Sequence, residues 1–301
     1  MWFRNLLLYR LNEPFSETPE ALEQALAEQA FLPCSGLDTH RNGWESPLGR
    51  QGQEYVHQTN GRLMLCMRRE DRLLPPAVVR EKLEQKVGEI EESEARSVGR
   101  KEKSQLKDEI VVDLLPRAFT RSQRLFAYID PKAGLIVIDT ASASKAEELL
   151  NLLRETLGSL RVTPLRVSTS PSLTMTRWLE TQAPSGVVPG DECELKEPVE
   201  NGAVIRARKI DLGSEELNHH LDAGMQVTRL ALEWQDRLGC VLGDDLSVRR
   251  LRFTDVVMEE AAEVQADDAA ARFDADFALM SAELAEFIPW LIEAFGGEDA
   301  A

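Results

Sequence analysis

The dipeptide Asn60-Gly61, set between "YVHQT" and "RLMLCM", narrows the possible fold more than any other feature of the chain. Both residues tolerate positive φ, and the flanking bulky and branched side chains suit strands. The segment therefore reads as a β-hairpin with a two-residue turn. Two further stretches share the design: "LFAYIDPKAGLIVIDT" turns around Pro131 to Gly134, and "VTRLALEWQDRLGCVL" turns around Gln235 to Arg237. No strict sequence period relates the three, so they are alike in architecture and do not form a repeat.

Each hairpin leads toward a helical pattern. After the first, Pro76 stands near a helix start, and Val79, Leu83, Val87 and Ile90 recur at helical spacing. After the second, Ser144 is expected to cap a helix with Glu147 at the capping-box distance and Leu149, Leu150, Leu153 and Leu157 as its apolar stripe. The third continues through a further strand, "LSVRRLRF", into an acidic helical region. The opening "FRNLLLYRL" reads as a strand and Thr18-Pro19-Glu20 as a helix start. Prolines, glycines and acids cluster over 184–198, which predicts a loop and a seam between units. "GAVIRARKIDL" follows as a strand, then a short helix capped by Ser214. Phe273, Phe277, Met280, Leu284, Phe287, Leu291 and Phe295 suit one buried helix face, with a kink or break expected at Pro289.

Hairpins packed by helices define an α+β protein built of several antiparallel units. At 301 residues, two or three compact units with ample core are expected. The expected division has residues 1–75 and 121–183 as two α+β parts of a central unit. Residues 76–120 form a helical extension carrying a basic stripe and an interface loop, and 184–301 form a C-terminal α+β unit with an acidic helical end. Hydrophobic residues at 43% and charged residues at 29% give a soluble globular balance and argue against disorder. The first residues lack the pattern of a signal peptide, and no apolar run approaches the ~18 residues of a membrane span, so a cytoplasmic protein is expected. Cys34, Cys66, Cys193 and Cys240 are isolated from one another, which points to reduced thiols and away from a disulfide framework or zinc cluster.

Charge is unevenly distributed in a chain of net charge -17. Residues 254–301 carry 13 Asp and Glu against Arg272 alone, whereas 96–132 hold nine Lys or Arg against five acids. Binding follows the local field and not the sum, so an acidic whole does not exclude a polyanionic partner. Arg96, Arg100, Lys103 and Lys107 would share one face of a continuous helix, with Lys101 beside them, although Gly99 argues against continuity. The same spacing also suits a merely solvated face. Arg206 and Arg208, followed by Lys209, alternate along one expected strand, and Arg250 and Arg252 along another. Aromatic residues make up only 6% and do not interleave with the cations, which favours duplex backbone contact over base stacking. In "LLPRAFTRSQR", Phe119 lies among polar residues, placed either to anchor its loop or to enter a partner's pocket.

Motifs for nucleotide hydrolysis, dinucleotide binding, zinc proteolysis and serine-elbow catalysis do not occur. Asp244-Asp245 suits a turn between strands and, with acids from elsewhere, a metal-dependent nuclease. His219-His220 reads as helix surface, because adjacent helical residues diverge by about 100°.

Taken in order, "MWFRNLLLYRL", "GWESPLG", "LLPRAF", "GLIVIDTASASKAEELLNLLR" and "LALEWQDRLGCVLGDDLSVRRLRFTD" resemble the RdgC family of recombination-associated proteins of proteobacteria. The resemblance covers nearly the whole chain, and none of its segments is a catalytic signature. It implies a nucleoid-associated, non-enzymatic protein without cofactor that binds double-stranded DNA with little sequence preference. It further implies an elongated subunit in a ring-shaped homodimer with DNA through a positively lined hole, restraining RecA-promoted recombination by occupying duplex. The resemblance places the phenylalanine matching Phe119, with Arg117 nearby, at one dimer contact and basic residues near Arg208 and Lys209 at the other. The competing expectations are a metal-dependent nuclease using Asp244 and Asp245, and a recombinase-binding module that does not touch DNA.

Overall fold

The structure, a computed structural model, describes residues 1–264 and 266–299. The chain begins with β1 (Leu7–Leu11), α1 (Pro19–Glu28), β2 (His40–Glu45), β3 (His57–Thr59) and β4 (Arg62–Leu73). The helices α2 (Pro76–Glu94) and α3 (Arg100–Leu114) follow, then β5 (Phe119–Asp130), β6 (Leu135–Ile138), α4 (Ala143–Leu157) and β7 (Val162–Pro164). Next come α5 (Pro171–Glu180), β8 (Val187–Lys196), β9 (Val204–Arg208), α6 (Glu215–Asp222), β10 (Gln226–Trp234), β11 (Leu238–Gly243) and β12 (Val248–Phe253). The helices α7 (Asp255–Glu263) and α8 (Ala269–Ala294) complete the described chain. Two antiparallel sheets result. One has the order β2-β4-β5-β6-β1-β7 with β3 paired to β4, and the other β12-β11-β10-β8-β9. The α+β class expected from the sequence is thus present.

All three hairpins form where their turns predict. Asn60 and Gly61 both take positive φ (51° and 77°), which matches the twist of the β3–β4 pair. Gln235 and Asp236 do the same without glycine (48° and 57°) between β10 and β11. Between β5 and β6, the Asp130 carboxylate accepts from the Ala133 N–H at 2.9 Å while Gly134 supplies the positive φ.

Two compact units divide the chain, one made of 1–25, 46–65 and 126 onward, the other of 26–45 and 66–125. In the first, the alternation along β10 buries Val227, Leu230, Leu232 and Trp234 against α5, α6 and α8. The Trp234 ring meets Phe287 edge-on with centroids 5.5 Å apart. In the second, β2 pairs with Cys66–Asp71 of β4, and α2 packs on α3 through Val87, Val98 and Leu106, with Leu83 and Ile90 at the margin.

Several local expectations are corrected. Residues 187–196 form β8 and not a loop, hydrogen-bonded to β10 and, over Glu192–Lys196, to β9. The proline and glycine that suggest a loop are accommodated because β9 does not reach Pro189. The register with β10 also slips beside Leu232, leaving Gly190 against Ala231. Ser142, not Ser144, occupies the N-cap of α4, and the two hydroxyls lie 3.0 Å apart. α2 ends at Ala95 in the left-handed region, and α3 starts after an extended Gly99, so Arg96 lies in the connection and not on the helix.

α8 is not broken at Pro289 and runs as a single helix to Ala294. Leu284, Phe287, Ile288 and Leu291 are all buried around the proline, and their packing outweighs the lost bond to the Ala285 carbonyl. Pro289 itself is exposed. Replacing Pro289 with Ala restores that hydrogen bond without opening a cavity. It is expected to raise stability in a denaturant titration by about 1–3 kcal/mol.

All four cysteines are free. Burial pushes the thiols of Cys66 and Cys240 up to about 12 and that of Cys193 to about 11, so these three act as small apolar side chains and not as nucleophiles.

Candidate nucleic-acid interface

The basic residues fall into two groups with different electrostatics. On α3, Leu106 and Ile110 face inward and Arg100, Lys101, Lys103 and Lys107 are exposed. At about 100° per residue, Arg100, Lys103 and Lys107 lie within roughly 60° of one another, while Glu102, Glu109 and Asp113 occupy a separate flank. Two of those acids have other partners. Glu102 receives both Arg96 guanidinium nitrogens at 2.6 and 2.7 Å, and Glu109 receives Lys86 at 3.3 Å. Hydrogen bonding from Arg96 holds the Glu102 carboxyl below the usual carboxylate range. Arg96 also pairs with Glu94, so two carboxylates offset its charge. None of Arg100, Lys101, Lys103 and Lys107 forms an ion pair among the described residues. Lys101 lies on the flank of Asp108, away from the other three.

The strand arginines are paired. Arg206 and Arg208 of β9 project from the face opposite buried Ala207 and meet Glu194 at 2.7 Å and Glu192 at 3.4 Å. On β12, Arg250 takes positive φ (50°) and reaches Glu192 at 2.8 Å, and Arg252 meets Glu233 at 3.1 Å. Arg229 of β10 shares Glu194 at 3.4 Å. Lys209, just beyond β9, is exposed in the left-handed region with no ion pair among the described residues. The Glu-x-Glu of β8 and Arg229 were not singled out from the sequence. The signal for the glutamates is "ECE", whose period of two matches "RAR" on β9, and the register sets Glu192 opposite Arg208 and Glu194 opposite Arg206.

Phe119 opens β5 with 85% of its surface exposed, the most of any large apolar residue described. The turn before it is fixed: Leu115 is buried, its carbonyl accepts from Arg72 Nη1 at 2.5 Å, and Ala118 N–H closes onto it at 3.1 Å. That leaves Arg117 and Phe119 outward, so the anchoring alternative does not hold for this ring. β6 pairs only with Ala127–Asp130, so the earlier part of β5 has one edge without a strand among the described residues.

Asp244 and Asp245 lie in the β11–β12 turn, where Asp245 accepts from Ser247 N–H at 3.0 Å and pairs with Arg249 at 3.3 Å. Burial raises the Asp244 carboxyl, whereas hydrogen bonds from Ser247 keep that of Asp245 low. Among the described residues, no group of three or more His, Cys, Asp or Glu could hold a metal ion. His219 and His220 lie on α6 with ring centroids 6.1 Å apart and ring planes 57° from parallel. No described helix is long and apolar enough to cross a membrane.

A family model described as "Putative exonuclease, RdgC" matches residues 1–298. Among curated relatives, the recombination-associated protein RdgC of Tolumonas auensis is 44% identical, covering 100% of both chains. Its namesake from Aeromonas hydrophila is 46% identical over 99% of each, and that from Pseudomonas paraeruginosa 48% identical over 99% of this chain and 98% of its own. The family description names an exonuclease, and the relatives' names do not. A full-length match to the family model and such identity to relatives of the same length leave one assignment: the chain belongs to the RdgC family.

Proposed function

We propose that this protein binds double-stranded DNA without sequence preference and without cleaving it. The carrying observation is the exposed stripe of Arg100, Lys103 and Lys107 on α3, with two of the nearby acids, Glu102 and Glu109, drawn off by Arg96 and Lys86. Free cations in a row offer phosphates a continuous partner, and phosphate contacts carry no sequence information. Lys101, Lys209 and the outward arginines at 206, 208, 250 and 252 provide further backbone contacts in this reading, and Arg96, paired with Glu94 and Glu102, a weaker one.

The working assembly is proposed to be a ring-shaped homodimer around the duplex, in the cytoplasm and on the nucleoid, limiting RecA-promoted recombination by occupying its DNA. The names of the relatives support the link to recombination. The exposed Phe119 ring beside Arg117, next to a strand edge that no other described strand covers, supports one subunit contact, and Lys209 is proposed at the other. Residues 76–120 would supply both the cationic stripe and the first contact.

A gel-shift titration of the full chain against unrelated long duplexes, with and without magnesium, tests this. Equal retardation of all duplexes, falling steeply with salt and leaving intact DNA, is expected. Shortened DNA in magnesium would favour the nuclease that the family description names, and no shift would favour a recombinase-binding module.

A further inference from the structure

The sheet arginines differ from the α3 cations in that counter-ions are built in beneath them. Glu192 and Glu194 stand two residues apart on β8, on the face turned away from the core, with side chains only 22% and 14% exposed. Above them, Arg208, Arg206 and Arg250 keep 67%, 64% and 59% exposure. Each carboxylate holds two guanidiniums: Glu192 those of Arg208 and Arg250, Glu194 those of Arg206 and Arg229. Thr228 adds a hydrogen bond to Glu194 at 3.2 Å, so that carboxylate is fixed from the β10 side as well. Paired arginines hold Glu194 ionised, below the usual carboxylate range.

This arrangement has a consequence for any polyanion approaching the face. An exposed guanidinium gives up a surface carboxylate at little cost, since such pairs are worth roughly 0–1 kcal/mol. A carboxylate that is mostly covered, and in Glu194 also held by Thr228, cannot swing freely into solvent when a phosphate arrives. It stays as a like charge behind the contact, and a face of four arginines then acts with about half of its formal charge.

We propose that Glu192 and Glu194 are phosphate surrogates that hold these arginines in place and set an upper limit on the affinity of the sheet for duplex DNA. The inference rests on the duplex-binding reading above and adds regulation to it. Limited, interchangeable contacts keep a non-specific protein mobile along DNA, because each step exchanges one weak contact for another. A purely structural role, in which the cross-strand pairs only stabilise the sheet, predicts no change in how binding responds to salt.

The test is the double variant Glu192→Gln and Glu194→Gln in the full chain, compared with the parent by gel shift on a long duplex over a salt series. Affinity is expected to rise at least about tenfold at moderate salt. The slope of log affinity against log salt should steepen by about 0.9 for each arginine released to a phosphate. The charge-preserving variant Glu192→Asp with Glu194→Asp is expected to keep the parental slope. If the double Gln variant does not fold, Glu192→Gln alone, which leaves the Thr228 bond to Glu194 intact, should show a smaller change in the same direction. A folded Gln variant with parental or weaker affinity and an unchanged slope overturns the inference while leaving duplex binding in place. A parent that shifts no duplex overturns the underlying reading, and the inference with it.

Discussion

Reversing Arg100, Lys101, Lys103 and Lys107 to Glu is expected to abolish duplex binding at moderate salt in a protein that still folds. The fold should survive because all four side chains are exposed and the packing residues of α3, Leu106 and Ile110, are untouched. Binding should fail because each reversal removes one favourable phosphate neighbour and adds a repulsive one. Gln at the same four positions should act more mildly, lowering the log–log salt slope by up to about 0.9 per lost contact. Arg96→Gln provides an internal comparison. Glu94 and Glu102 offset its charge, so its loss should lower the slope less than loss of an unpaired cation of α3. Asp267→Asn with Asp268→Asn, at the start of α8, should leave the slope unchanged. Gel shifts over a salt series and a thermal melt of each variant decide the matter. A Glu variant that binds like its parent would reduce the stripe to a solvated face and leave the sheet arginines as the DNA surface.

The contrast between Arg96 and its helical neighbours shows what the sequence could and could not convey. Hairpins were legible because their determinants are local: Asn60-Gly61 and the Asp130–Gly134 turn carry their geometry in a few adjacent residues. The apolar series of α8 was legible for a similar reason, since its period is fixed by the helix itself. Ion pairing was not legible. Glu102 lies six residues from Arg96, but the two meet only because α2 ends at Ala95 and α3 starts afresh after Gly99. Glu194 and Arg206 meet only because residues 187–196 form a strand, and the proline and glycine there concealed it. Strand assignment across such residues depends on the partner, and the partner here, β10, lies some thirty residues downstream. The two compact units are likewise interleaved in sequence, because β2 pairs with the far half of β4 across an intervening stretch of the other unit.

Phe119 is the other position where the surroundings, and not the residue, carry the information. Phe119→Ser is expected to leave unfolding of the chain nearly unchanged and to weaken self-association strongly. A ring already 85% exposed loses little burial on truncation, and the preceding turn is held by Leu115 and Arg72, neither of which the substitution touches. Phe287→Ala supplies the scale for a ring that does serve the core. It is fully buried against Trp234 and Trp290, and its truncation should cost about 3–5 kcal/mol. An exposed aromatic gains its value only when a partner buries it, where a rigid ring in a fitted pocket often dominates the contact. Sedimentation velocity at several protein concentrations, together with denaturant titration, separates the two effects. Loss of dimer with an unchanged unfolding midpoint would support a contact role for Phe119. Parental self-association in the Ser variant would remove the residue from the interface, and the open edge of β5 beside it would then need another partner.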